Sequence, residues 1–510
     1  MKRCKCLSTT LIILLFITGC TGTHFVKSGK PSEYWPTEGW RVASPESQGI
    51  DSNSLVAVMD TIREKNLDIH SLMIIRRGYV VLDAYFYPYT SGTLHDVASV
   101  TKSITSTLIG IAIDHGFIQN VDETVLSFFP EKEPLKLDER KRRMTVSDLL
   151  SMTSGFDCGY TPAEAELFAM LSSDDWVQFV LDLPMAAEPG AQFGYCSGGT
   201  HLLSAIIARA TGITTQEFAN DFLFEPLGIR NVMWPTDPQG INHGWGDLRL
   251  NPHDMAKIGY LYLNEGFWEG RQVISADWIK HSTKKHADTR DGNLDYGYGW
   301  WVFSSGIPGL YEARGRGGQA ISVWPEKDIV AVFTGSGYDR GNFAPLLISS
   351  IKSDGSLPEN PEASQNLQEK IAAAVKTPPP EPTESLPESA YLISGRFYQF
   401  EYNSLDLQAA MLNFKEPHEA GFSFYIGKEH YEMPIGLDGV YRISPRSPSG
   451  LPVGLEGYWP SENEFVLNYH EIAGVNNFIF RLSFEGDAVQ MTVDEKTGYF
   501  DESFGGQAIK

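Results

Sequence analysis

Residues 97–113 read Val-Ala-Ser-Val-Thr-Lys-Ser-Ile-Thr-Ser-Thr-Leu-Ile-Gly-Ile-Ala-Ile, small or apolar on nearly every side of a helix, and the run stops at His115-Gly116. A helix with no polar face has to be enclosed. The remainder of the chain must therefore fold around this segment rather than beside it. The segment also carries Ser99 and Lys102 in its first turn. Residues three apart share a helical face, and a hydroxyl at that end lies near the positive pole of the helix dipole, which favours a developing anion. A desolvated lysine loses basicity and can accept a proton. Together they form the arrangement of a Ser-Lys acyl-transfer nucleophile. Ser282/Lys285 and Ser349/Lys352 repeat the spacing, but Ser282 lies in a polar stretch and Ser349 ends a helix before a linker. Those two pairs read as ordinary helix turns.

The region around the enclosed helix has strand signals at both ends. Residues 72–76 and 79–86, joined at Arg77-Gly78, read as a β-hairpin. Residues 298–303, 311–314, 319–324 and 329–334 read as consecutive antiparallel strands, closed by a helix over 343–352. Between these ends lie helices with explicit caps, Thr145-Val-Ser-Asp148 and Asn251-Pro-His-Asp254, the latter followed by Gly266. The expected layout is α+β, an antiparallel sheet flanked by helices with an inserted helical region, over residues 41–352. Residues 353–388 are rich in Pro, Glu and Ser around a short helical stretch at 367–375 and read as a semi-rigid linker. Short alternating segments beyond residue 389, such as 421–426, 464–469 and 478–484, predict an all-β sandwich or small barrel.

The N-terminus reads as a targeting segment. Lys2, Arg3 and Lys5 precede the apolar run 11–17, which ends in Ile17-Thr-Gly-Cys20. This resembles a bacterial lipobox: a signal peptide over 1–19, lipid on Cys20 and a polar tether over 20–40. The expected location is the bacterial cell envelope, with the chain held to a membrane through Cys20. Thr21, which is not aspartate, favours the outer membrane in a Gram-negative host. A net charge of −23 argues against nucleic acid as a partner. After cleavage and lipidation, Cys158 and Cys196 remain, either as a disulfide or as two buried thiols. His281 and His286 lack a metal-binding spacing, and the acidic run 288–295 lacks that of a calcium loop, so it reads as a solvated loop. No metal or organic cofactor is expected.

Two further segments complete a constellation. Gly194-Tyr195-Cys-Ser197-Gly-Gly places a tyrosine and a serine ahead of an apolar helix, and Ala313-Arg-Gly-Arg-Gly-Gly-Gln gives a strand with a glycine-rich start. In this order, Ser-x-x-Lys, Tyr-x-Ser and a Gly-rich strand, residues 40–352 resemble the serine β-lactamase-like superfamily. The resemblance is greatest to the branch of class C β-lactamases, related esterases and nylon-oligomer (6-aminohexanoate-dimer) hydrolases. It implies that Ser99 is acylated, that Lys102 and Tyr195 share its proton, and that Ser197 bonds near the lysine or the substrate. It further implies an oxyanion hole from the backbone N–H groups of Ser99 and Arg316, with Gly317 close behind. Tyr195-Cys-Ser197 stands where Tyr-x-Asn is usual, and Gly315-Arg-Gly where Lys-Thr-Gly is usual. Arg314 or Arg316 could replace the lysine only in charge. These departures favour a carboxylic ester or small amide over a β-lactam or D-alanyl peptide. A penicillin-recognising protein and a non-catalytic envelope binding protein are the alternatives. Similar hydrolases carry a lipocalin-like β module after a Pro-rich linker.

Overall fold

The computed structural model describes residues 34–159, 165–383 and 385–509. The expected signal peptide, Cys20 and most of the expected tether lie outside them. Residues from Trp35 onward form one compact unit.

The enclosed helix forms as Val100–Asp114, with every residue from Val100 to Ala112 buried. Its hydroxyls are satisfied by backbone packed against it. Ser103 and Ser106 donate to the carbonyls of Gly299 and Tyr298, each at 2.6 Å, and Thr105 donates to that of Gly244 at 2.9 Å. Small polar side chains can therefore line an interior helix without leaving unpaired groups. On one side lies the helix Ser197–Thr211. The enclosed helix also packs directly on the strand Tyr311–Arg314 of a nine-stranded sheet, whose order is Arg41–Val42, Tyr79–Tyr85, Ile69–Arg76, Ile329–Gly335, Ala320–Trp324, Tyr311–Arg314, Trp301–Phe303, Leu294–Tyr296 and Ala287–Asp288. All its pairings are antiparallel except that of the edge strand Arg41–Val42. The hairpin from the start of this region pairs with Ile329–Gly335 from its end, so one sheet is built from both ends, as the sequence predicts. Arg77 and Gly78 both adopt positive φ, 52° and 78°, which matches the twist a two-residue hairpin needs.

Two segments depart from their sequence reading. The acidic run 288–295 is a hairpin at the sheet edge: its 289–293 tip is largely solvent-exposed, as a solvated loop would be, but Leu294 and Asp295 are buried in a strand and Asp295 pairs with Lys285 at 2.8 Å. The linker contains a full helix, Pro361–Ala374, beginning six residues before the expected stretch because Asn360 caps it and Pro361 opens it. This helix docks on the helix Ser52–Glu64: Leu367 is fully buried in a cluster with Leu55 and Val58, and Lys370 pairs with Asp60 at 2.6 Å. Much of the linker is thus part of the folded body.

The C-terminal region is a closed barrel of nine strands. It runs from Phe397–Phe400 through Leu407–Glu416, Glu419–Ile426 and Glu429–Gly436 on one side, and back through Asp501–Ala508, Ala488–Glu495, Asn477–Glu485 and Glu464–Glu471 to Val453–Ser461. The pairing of Gly436 with Glu456 closes it. Phe414, Phe422, Phe465, Leu467, Met491 and Phe504 fill the interior, where a void of about 10 Å³ lies beside Ile393, Tyr398 and Leu412. The barrel is a packed core rather than a cup.

Polar side chains join the barrel to the sheet. His470 lies 2.7 Å from the Tyr89 hydroxyl and 3.1 Å from the Asn477 amide. Asn477 and Lys496 both donate to Asp68, at 3.1 and 3.0 Å, and Asp68 contacts His70 at 3.3 Å. Burial, helped by His70 and Lys496 and opposed by Asp68, pushes the His470 imidazole down to about 3. Its ordinary value is near 6.5, so on acidification the unfolded chain takes this proton first. The stability tied to a neutral His470 is full above about pH 6.5 and is lost as pH falls towards 3. One such group costs up to about 1.4 kcal/mol per pH unit within that window. Thermal unfolding from pH 7 to pH 4 is expected to show a falling Tm, with a shallower fall in His470→Asn. An unchanged slope in that variant would remove His470 from the account.

Candidate active site

Ser99 is the N-cap of the enclosed helix. The chain reaches it through Ala98 at φ 46°, a left-handed conformation uncommon for a residue with a side chain. The Asp96 carboxylate accepts the Ala98 N–H at 2.7 Å and holds that turn. Burial, reinforced by the neighbouring Asp247 carboxylate, raises the Asp96 carboxyl above the usual range.

Lys102 is 1 % exposed, and its Nζ lies 2.9 Å from Ser99 Oγ and 2.9 Å from the Trp245 carbonyl oxygen. The same ammonium sits 4.8 Å from the centre of the Tyr195 ring. Tyr195 stacks on Trp301 at 6.2 Å and meets Tyr296 edge-on. Immediately after it, Cys196 caps the helix Ser197–Thr211, and Ser197 is buried in its first turn. A disulfide joins Cys196 to Cys158, with 5.6 Å between their Cα atoms. Of the two states left open by the sequence, the structure shows the bonded one. It ties the 155–159 loop to the residue that follows Tyr195.

The glycine-rich turn approaches from the sheet. A Cβ on Gly315 would stand 2.5 Å from the Val97 carbonyl oxygen and 3.1 Å from Ala98 Cβ, so only glycine fits this close against the chain entering Ser99. Ser99, Tyr195, Ser197 and Arg316 line one cleft of about 760 Å³. Gly317 is not among its lining residues. It has φ 77°, and a Cβ there would meet Val475 of the barrel at 2.6 Å. Arg314 also lines the cleft, but its guanidinium is occupied by Glu312 at 2.5 Å. Glu312 is buried and shared with Arg340 at 3.1 Å; although burial would raise its carboxyl, Arg340 and Arg314 hold it down at about 2. The other Ser-x-x-Lys pairs are structural: Ser282 and Ser349 donate to the carbonyls of Ile279 and Leu346.

The sequence reading missed several cleft residues. Trp245, whose carbonyl holds Lys102, sits in a loop without a recognisable motif. Asp247, at φ 63°, and the barrel residues Thr497 and Tyr499 also line the cleft. Nothing local in the sequence marks them, because only tertiary closure brings them to Ser99.

An antiparallel sheet covered by helices, with an enclosed helix presenting Ser-x-x-Lys, is a β-lactamase/transpeptidase-like fold, here followed by a closed nine-strand barrel. Residues 65–347, over half of the chain, match the family described as Beta-lactamase, and the chain belongs to that family. It is 24% identical over 285 residues to the 6-aminohexanoate-dimer hydrolase of Paenarthrobacter ureafaciens, covering 51% of this chain and 71% of that protein. It is also 24% identical over 311 residues to Penicillin-binding protein 4 of Amycolatopsis lactamdurans, covering 53% and 78%. Among solved structures it resembles EstCE1, a hydrolase with promiscuous acyltransferase activity. That match has a TM-score of 0.51 and 17% identity, and spans 59% of this chain and 99% of the other.

Proposed function

We propose that this protein is a serine hydrolase that cleaves a carboxylic ester or a small amide through an acyl-enzyme on Ser99. The observation that carries this reading is the 2.9 Å contact between the buried Lys102 amine and the hydroxyl of Ser99, a residue that lines the cleft. In its neutral form the amine accepts the serine proton as Oγ attacks the substrate carbonyl. The carbonyl oxygen, now anionic, takes hydrogen bonds from the backbone N–H groups of Ser99 and Arg316. Lys102 and Tyr195 then return the proton to the leaving oxygen or nitrogen, and water attacks the acyl-enzyme by the same route.

Esters and small amides are favoured over substrates recognised by a carboxylate. Arg314 is engaged by Glu312, and Arg316 by Glu495. The Arg316 guanidinium is turned onto the barrel and the Arg314 Nε–H donates to a buried carboxylate, so neither is arranged as a dedicated partner for a β-lactam or peptide carboxylate. The walls instead include Phe156, Phe193, Trp245 and Trp301, which suit an apolar acyl or leaving group. The lipobox at Ile17–Cys20 supports placing this activity at the bacterial envelope, on a lipid anchor.

The test is hydrolysis of short-chain p-nitrophenyl esters by protein starting after Cys20, with a fluorophosphonate label mapped by peptide mass spectrometry. The expected result is p-nitrophenol release blocked by one label on the peptide carrying Ser99. A label elsewhere that abolishes activity, or no hydrolysis and no label, would overturn the reading.

A further inference from the structure

The barrel reaches the nucleophile's cleft, and its contacts there are built around one arginine. Arg316 follows Gly315 at the point where the sheet comes closest to Ser99. Its guanidinium leaves the hydrolase region and enters a pocket on the barrel. Thr497 Oγ1 accepts from it at 2.7 Å, Asn476 Oδ1 at 2.5 Å and Glu495 Oε1 at 3.3 Å, while the Tyr499 ring lies 4.7 Å from its centre. Glu495 is itself buried, and its second oxygen accepts from the Thr497 and Tyr499 N–H groups and the Thr497 hydroxyl, at 3.0, 3.2 and 2.5 Å. One carboxylate therefore both shapes the 495–499 loop and anchors Arg316. Thr497 and Tyr499, held in this way, line the same cleft as Ser99, and Tyr499 meets Phe168 of the hydrolase region at 5.3 Å.

Two consequences follow from this geometry. A planar guanidinium held by three acceptors and a ring has little freedom, so the backbone N–H of Arg316 is fixed from the barrel side. The aromatic pair Phe168–Tyr499 adds an apolar wall to the cleft. We propose that the barrel is part of the active site: Tyr499 forms a selectivity wall for an apolar acyl or leaving group, and Glu495 is a positioning residue that keeps the Arg316 N–H aimed at the oxyanion. This inference rests on the hydrolase reading above.

The experiment compares wild type, Tyr499→Ala, Tyr499→Phe, Glu495→Gln and Ser99→Ala on p-nitrophenyl esters from acetate to octanoate. Capture of alkyl fluorophosphonates of the same lengths is followed in parallel. Tyr499→Ala is expected to raise KM about tenfold for the longest chains with kcat nearly unchanged, and Tyr499→Phe to behave as wild type, because the ring and not the hydroxyl makes the wall. Glu495→Gln is expected to lower kcat about tenfold for every ester with KM nearly unchanged, the signature of an interaction made in the transition state. Should Glu495→Gln unfold, Thr497→Val removes one acceptor from Arg316 and is read for the same kcat loss. Both sets of variants within twofold of wild type, with Ser99→Ala inactive, would show that the barrel only packs here and would overturn the proposal alone. Activity surviving in Ser99→Ala, or neither hydrolysis nor capture in wild type, would overturn the hydrolase reading and the proposal with it.

Discussion

Lys102→Met is expected to abolish turnover of any ester the wild type cleaves, with a loss in kcat of about 10⁴-fold and little change in KM, and Ser99→Ala is expected to do the same. Methionine resembles lysine without its terminal amine, so it fills most of the buried space but cannot take a proton. It leaves the Ser99 hydroxyl without the amine, its proposed base, that lies 2.9 Å away. Groups that act as one unit fail together, so the double variant should be no worse than either single one. A 10⁴-fold loss corresponds to about 5.5 kcal/mol in the barrier, far above what loss of packing at one terminal atom gives. The checks are steady-state kinetics and a Tm within a few degrees of wild type. A folded Lys102→Met variant within tenfold of wild type would require a different base, and Tyr195→Phe would then be the variant to examine.

Gly315→Ala is the second large effect. Its Cβ would fall 2.5 Å from the Val97 carbonyl oxygen, a backbone atom that cannot rotate away. The Gly315–Arg316 backbone must retreat from Ser99, carrying its N–H out of reach of the carbonyl oxygen. Losing one such donor lowers kcat by about 10²–10³-fold. The fold should survive, since the shift is absorbed at a turn between two paired strands. Kinetics on the acetate ester, with fluorophosphonate capture slowed in parallel, provide the check. Full activity would mean that the second donor lies elsewhere on the turn.

The contact between Ser99 and Lys102 was legible because it is local: the two are three residues apart on a helix whose composition demanded burial. Caps were equally readable. Thr145 and Asp148 form the reciprocal capping box, and Asn251 caps the helix opened by Pro252. The strand that ends the 288–295 run was hidden because Leu294 stands alone among polar residues and the buried Asp295 reads as solvated until its partner Lys285 is placed. The helix at 361–374 was shortened because the Pro- and Glu-rich context outweighed the Asn360-Pro361 start signal. The barrel's part in the cleft could not be read at all. Arg316 and Glu495 are 179 residues apart, and each alone looks like a surface charge.

The docked 361–374 helix sets the effective concentration of the barrel at the cleft. On a flexible tether, the barrel would be diluted by every conformation the tether could explore. Here residues 361–374 are held on the face of the Ser52–Glu64 helix, with the carbonyl of Ala374 accepting the Tyr87 N–H at 2.9 Å, which shortens the tether to the stretch between Ala374 and the helix Glu388–Ile393. A tether that short keeps the barrel close to Ser99 even when their contacts break, so any separation should be brief.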